Sequence, residues 1–235
     1  MPMVHKKFRH VLVLLFLVMA AGSISAGDVA RFVNLGFSPN SSVFMFAQHG
    51  IVAEQGYPFA EIYTVDVPGN RFVSDGVFNE TYATPLSPGQ DGSGALYTLL
   101  PKLSDVIQQN RINHLRQGRL IYLLVDGEEI RERIEFRDFE TGNSYDIRLT
   151  QERRGSGNDV RAAFHLDVTT VLANGTVIDH RVGRPGYFRE DIDRYRINQV
   201  IVSPDERSLV IVVERIRDTA AGKRVRYMVE TVKLR

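Results

Sequence analysis

Apolar and polar side chains alternate along most of this chain, and a two-residue period admits few folds. In residues 130–139, Ile130, Glu132, Ile134 and Phe136 share one face of an extended strand, while Arg131, Arg133, Glu135 and Arg137 share the other. Farther on, Tyr145, Ile147 and Leu149 oppose Asp146, Arg148 and Thr150. Successive strand side chains point to opposite sides, so both patterns describe half-buried strands. Thr141-Gly142-Asn143 between them predicts a hairpin. A second hairpin is expected over residues 162–182, where Asn174-Gly175 suits the positive φ angles of a type I′ turn. Further strands are expected at 30–37, 43–53, 59–67, 71–78, 195–202, 209–216 and 225–234. The expected fold class is mainly β, with antiparallel sheets forming a sandwich or a partial propeller-like arrangement.

One segment departs from this period. Leu96, Leu99, Leu100, Leu103, Val106 and Ile107 recur at helical spacing and predict one amphipathic helix near 94–112 that covers a sheet face. Pro101 either kinks that helix or marks its first turn, because an interior proline removes a hydrogen bond. The preceding residues 79–93 are rich in turn formers and read as a long exposed loop. Within it, Tyr82 and Leu86 are apolar groups able to contact a partner, and they are the candidate site residues. Neither side of the loop has enough strands for a core of its own, so 27–235 is expected to be a single mainly-β domain.

At the N-terminus, Lys6, Lys7 and Arg9 precede an apolar run from Val11 to Ala21 and the small-residue stretch Gly22-Ser23-Ile24-Ser25-Ala26. That order is a secretory signal, with the cleaved bond after Ser25 or Ala26. The run is far shorter than the roughly 20 residues a membrane-crossing helix needs, and no later stretch approaches that length. Residues 1–26 therefore read as a signal peptide, and the processed chain as secreted or periplasmic, with no transmembrane span. It carries 26 basic and 28 acidic residues, a net charge of −2. Its basic residues alternate with acids rather than forming one face, which argues against a nucleic-acid partner. The absence of cysteine excludes disulfides, cysteine chemistry and a lipid-modified N-terminal cysteine. A chain of this size buries roughly 70% of its unfolded surface, so packing alone can hold its core.

An internal repeat sharpens the β reading. Phe37-Ser38-Pro39-Asn40 and Val202-Ser203-Pro204-Asp205 lie 165 positions apart. At the same offset Phe32 matches Ile197, Leu35 matches Val200, Phe44 matches Leu209 and Phe46 matches Ile211. Proline fixes φ at the first corner of a tight turn, and alternate flanking residues then face one core. Both segments resemble the strand-turn-strand unit of TolB-type and WD-like β-propellers. Two such units do not make a complete propeller, which typically has four or more four-stranded blades. The processed chain, notably Val33-Asn34-Leu35-Gly36-Phe37-Ser38-Pro39-Asn40, also resembles an uncharacterised family of predicted secreted bacterial proteins of unknown function. That resemblance implies export and no particular chemistry.

Residue patterns for catalysis are sparse. His165 and Asp167 fall on one face of a strand, and Asp179 adjoins His180 in its expected partner, so this hairpin is the one place for a His/Asp cluster. There is no His-Glu-x-x-His spacing, nucleophile elbow or phosphate loop. Asp126, Glu128 and Glu129 surround Gly127 in a turn pattern, and Glu190, Asp191 and Asp193 lack the ligand spacing of a calcium loop. No catalytic residue, metal ligand or cofactor is assigned. The favoured function is an exported, non-enzymatic β-domain that binds an envelope or extracellular protein, peptide or glycan. The alternative is an exported hydrolase using dispersed carboxylates or histidines, which would show a cleft with converging carboxylates or with His165 and His180 together.

Overall fold

The computed structural model describes residues 28–87, 89–125, 131–220 and 222–234. The expected signal peptide of residues 1–26 and the expected turn with Asp126, Glu128 and Glu129 lie outside the described residues. Sheet I is a meander of β1 (Arg31–Phe37), β2 (Val43–Val52), β3 (Tyr57–Asp66) and β4 (Arg71–Thr81). β5 (Arg119–Leu123) follows the helical segment. Sheet II holds β6 (Arg133–Arg137), β7 (Ser144–Arg154) and β8 (Arg161–Val171), with β9 (Val177–Gly183) and the short β10 (Arg189–Glu190) on successive stretches of the outer β8 edge. Sheet III runs from β13 (Gly222–Lys233) through β12 (Ser208–Thr219) and β11 (Arg194–Val202) to β5. All pairings between these strands are antiparallel, and the sheets do not close into a barrel.

The sheets are layered, and the sequence explains the order. In β2, Phe44 and Phe46 pack toward sheet III against Ile201, Val210, Val212 and Val229, whereas Met45 and Ala47 face the helical segment. In β12, Val210 and Val212 face sheet I, while Leu209, Ile211 and Val213 pack on Ile147, Leu149, Phe164 and Leu166 of sheet II. Sheet III is therefore the middle layer. Its central strand is apolar without interruption from Leu209 to Val213 because both faces are covered. Sheet II has one wet face, which accounts for the clean alternation in β6 and β7.

The expected helix is present but divided. α1 (Ser93–Leu99) gives way to a 3-10 turn, Leu100–Leu103, before α2 (Ser104–Gln109). Pro101 sits in that turn, where its missing N–H and bulky ring are tolerated. Leu96, Leu99 and Leu103 still reach sheet I. Asp91 starts the segment by accepting the Ser93 N–H (3.1 Å) and hydroxyl (2.5 Å). Gly92 is required there, since a Cβ would lie 2.2 Å from the Gly50 carbonyl oxygen.

The two Ser-Pro turns agree atom for atom. Ser38 and Ser203 each donate a hydroxyl to the acid or amide two residues on, Asn40 (2.8 Å) or Asp205 (2.6 Å). The same hydroxyls accept the N–H groups of Val43 and Ser208 at 3.0 Å. Ser41 and Glu206 occupy the same left-handed corner, with φ of 57° and 58°. Phe37, Phe44, Val202 and Leu209 are fully or almost fully buried. The match stops at the bulges, which fall at Leu35 in the first hairpin and at Asn198 in the second. Leu35 consequently turns to the helical layer, while Val200 faces sheet II.

Three further details differ from the sequence reading. At Asn174-Gly175 only Gly175 has positive φ (84°), and its N–H closes a turn onto the Leu172 carbonyl (2.8 Å). Such a turn, a type I form followed by a left-handed glycine, replaces the expected type I′. β4 continues to Thr81, so residues 79–81 belong to the sheet. β5 and β10 are short and uneven in pattern, and no periodicity announces them.

Candidate functional site

Two adjoining clefts open where the three sheets meet along the β13 edge. The first, about 330 Å³, is bounded by Asn70, Arg71 and Phe72 at the β3–β4 turn, Gly183, Arg184, Tyr187 and Arg189 after β9, and Met228 and Glu230 of β13. The second, about 260 Å³, lies between β10 and the sheet II side of β12 and β13. Arg189 belongs to both. Together they reach the size of small-ligand sites in proteins.

Strand register builds the second cleft. Leu209, Ile211 and Val213 cover sheet II, and the next two side chains on that face are Arg215 and Arg217. Pairing places Arg226 directly opposite Arg215, and Arg224 opposite Arg217. Like charges facing each other across a ladder are destabilising unless something balances them. Three of the four are balanced within the protein. Arg217 donates to Asp191 (2.9 Å), Asp193 (2.8 Å) and the Gly157 carbonyl (2.7 Å), and Arg224 also pairs with Asp191. Arg226 grips Asp28 through two bonds of 2.8 Å and lies 4.0 Å over the Phe59 ring. Burial works to raise the Asp193 carboxyl, yet Arg217, the Asp218 N–H and Arg153 together hold it below the usual carboxylate range.

Arg189 and Arg215 have no such partner. Neither lies within 4.0 Å of a carboxylate of the described residues, and Arg189 Nη1 and Arg215 Nε are buried N–H groups that meet no protein acceptor. The Arg189 guanidinium sits 5.0 Å from the Tyr187 ring centre and 5.4 Å from that of Phe164. Tyr195 lies beside both arginines: burial pushes its hydroxyl up, and the two cations oppose that shift.

The first cleft differs in chemistry. Phe72 and Tyr187, 49% and 53% exposed, stand on its walls. Glu230 is buried at its base, and its Oε2 accepts Asn70 Nδ2 (2.6 Å) and the Gly183 N–H (3.1 Å). Burial pushes the Glu230 carboxyl above its usual range. Asn70 also receives the Thr231 N–H (2.8 Å), which ties the β3–β4 turn to β13.

The residues singled out from sequence lie elsewhere. Tyr82 is half-buried against the helical layer, donates its hydroxyl to Glu80 (3.1 Å) and has the Lys102 ammonium 5.6 Å above its ring. Leu86 is half-buried in the following loop. Both belong to the helix side of sheet I, whereas the clefts open toward sheet III. On β8, His165 Nε2 lies 3.6 Å from Asp167, which is already held by Arg181 (2.6 Å). His180 pairs with Val168, whose side faces the core, so the two histidines occupy opposite faces of sheet II. Among the described residues, no three His, Asp or Glu side chains are grouped to hold a metal. Glu190 and Asp191 line the arginine cleft, and Asp191 serves to neutralise Arg217 and Arg224. The cleft does not show as a basic run in the sequence, because Arg189 lies 26 positions before Arg215 and a turn parts Arg215 and Arg217 from Arg224 and Arg226. A signal was present: Arg215-Ile216-Arg217 and Arg224-Val225-Arg226 flank one turn, and hairpin pairing brings both pairs to one face.

Fold and clefts define a class: an antiparallel, three-sheet β-protein with a cleft lined by five arginines. The chain belongs to the family described as predicted secreted protein (DUF2259), whose sequence profile matches residues 45–233. No curated protein matches the chain. Among the described residues no helix is long and apolar enough to cross a membrane.

Proposed function

We propose that this secreted protein is a non-enzymatic binding domain of the periplasm or extracellular space, and that its ligand is an acidic saccharide held in the groove between Phe72 and Tyr187. One observation carries the reading: Phe72 and Tyr187, each about half exposed, line one groove together with Arg71 and Arg184. A pocket of this size suits a small ring system, whereas a stable protein interface covers about 800 Å² on each partner. Amphipathic ring faces and guanidinium forks match an acidic sugar, which has an apolar ring surface and an anionic group. The Ser-Pro hairpins support a propeller-type origin for the scaffold, since each presents its equivalent face to the next layer. Tyr82 and Leu86 remain a secondary contact surface in this reading.

Retention of the processed protein on immobilised polygalacturonate and dextran sulfate, with neutral dextran and polyglutamate as comparisons, tests the proposal. Retention on the two acidic polysaccharides, at least tenfold weakened in Phe72→Ala and in the Arg71→Gln/Arg184→Gln pair, is expected. Preference for polyglutamate, or retention indifferent to these substitutions, would overturn it. A second reading, hydrolysis, is favoured by Glu230 alone, a carboxyl raised by burial at a cleft base. Glycoside hydrolysis ordinarily takes two carboxyl groups across the bond, and Glu230 is the one carboxylate among the described residues lining that cleft. Release of reducing ends from polygalacturonate, lost in Glu230→Gln, would favour the enzyme.

A further inference from the structure

We infer that the cleft between β10 and β12 is a phosphoryl-binding seat, in which Arg189 and Arg215 clamp the phosphate group of a phosphorylated saccharide from two sides. The inference deepens the groove reading by naming the acid, and it rests on that reading for the saccharide alone. Three observations carry the seat itself. First, five arginines line one cleft with only Glu190 and Asp191 among them, and those carboxylates do not reach Arg189 or Arg215. Two guanidiniums are thus left without a contacting carboxylate, Glu230 acting on Arg189 only from beyond ion-pair distance, and a phosphate monoester carries a charge of about −1.5 to −2 near neutral pH to meet them. Second, each has a buried N–H with no protein acceptor. A buried donor left unbonded is destabilising, more so on a charged group, so two in the lining of one cleft mark a place for acceptor oxygens. Third, the two come from different sheets, Arg189 on sheet II and Arg215 on sheet III, so their N–H groups reach the cleft from separate directions. A tetrahedral group with three free oxygens accepts from both sides at once, whereas a planar carboxylate serves one fork well.

The surrounding structure keeps the clamp ready. Arg189 is sandwiched near Tyr187 and Phe164, which stabilises its charge through ring faces while leaving N–H edges free. Arg217, fixed by Asp191, Asp193 and Gly157, holds the β12 strand end in place beside Arg215. Because Arg189 also lines the aromatic groove, a sugar lying on Tyr187 and Phe72 would present its phosphate to the seat.

The test uses the processed full chain at constant ionic strength. Inorganic phosphate should raise the melting temperature saturably where chloride and acetate at matched ionic strength do not. Binding by calorimetry should fall at least tenfold in Arg189→Gln and in Arg215→Gln, and stay unchanged in Arg148→Gln, an exposed position on the far face of sheet II. Should the two variants fold poorly, an amide NMR titration of the parent protein decides. Shifts confined to residues 189–192, 215–217 and 224–226 support the seat, and shifts scattered over the surface refute it. Equal responses to phosphate and chloride would also refute it. Glucose 6-phosphate binding tighter than inorganic phosphate supports the saccharide source, while equal binding keeps the seat and removes the saccharide. Loss of polysaccharide retention with phosphate binding intact would sink the groove reading and spare this one.

Discussion

Asp138 takes four donors at once: both Arg119 Nη atoms (2.5 and 2.8 Å), the Thr141 hydroxyl (2.6 Å) and the Glu140 N–H (3.2 Å). Chiefly because of Arg119, its carboxyl is held down at about 2 from an ordinary 3.8. A depressed folded-state value stabilises the protein above pH 3.8, and that contribution is lost as pH falls through about 2. Asp138→Asn should therefore cost about 2 kcal/mol at pH 7, while parent and variant converge in acid. Urea denaturation at pH 7 and pH 2.5 checks this, and a pH-independent difference would contradict it. Glu230 has the opposite sign. Its value is raised by burial, so its contribution is full below pH 4.5 and is lost as pH rises through the folded-state value. Glu230→Gln keeps an acceptor for Asn70 and Gly183 without the buried charge, and it should melt at or above the parent at pH 7 but not at pH 4. Equal melting differences at both pH values would show that Glu230 is not buried in its charged form. Neither residue is legible in sequence, because a carboxylate's neighbours across 19 or 160 positions are set by folding.

At the scale of elements, the Ser-Pro turns offer the sharpest test. Ser203→Ala removes both the bond to Asp205 and the acceptor for the buried Ser208 N–H, and should cost about 1–3 kcal/mol. Glu206 holds φ of 58°, a conformation that is costly with a side chain. Glu206→Gly should be stabilising by about 0.5–1 kcal/mol. Phe44→Ala, by contrast, should cost about 3–5 kcal/mol, since Phe44 is completely buried between sheets I and III. Thermal melts of the three variants should show two falls and one rise; an unchanged Phe44→Ala would refute the packing. The turns were readable because their chemistry is local: proline, hydroxyl and acid lie within four residues. The meander strands were readable from local signals too, as runs of strand-forming residues parted by turns. Local signals failed where context intervened. Pro101 divided a periodic leucine pattern, one-residue bulges at Leu35 and Asn198 turned matched positions to different layers, and β5 earns its place by pairing with β11, a strand some 75 positions later.

For the whole molecule, export and layering are linked. Processing in a bacterium should yield a chain beginning at Ala26 or Gly27, read by N-terminal sequencing; recovery only as an intact membrane-embedded chain of 235 residues would contradict it. Asp28 is already clamped by Arg226, so cleavage at either bond keeps the first ion pair of the fold. The clefts were illegible for a reason particular to this scale: their lining comes from Val65 and from residues 70–72, 183–192, 215–217 and 224–230, and only the stacking of three sheets brings these together. That stacking also dictates a timetable. Apart from β5, the middle layer emerges after sheets I and II, because β11, β12 and β13 occupy residues 194–233. A polypeptide crossing a membrane N-terminus first delivers sheets I and II well before the strands that separate them. Until those strands arrive, Phe37, Phe44 and Phe46 on one side and Ile147, Phe164 and Leu166 on the other have no lasting cover. Exposed apolar faces of this kind aggregate. Residues 194–233 thus act as the mortar between two waiting walls, and a chain interrupted before residue 208 would leave the export machinery as two sticky halves rather than a shortened protein.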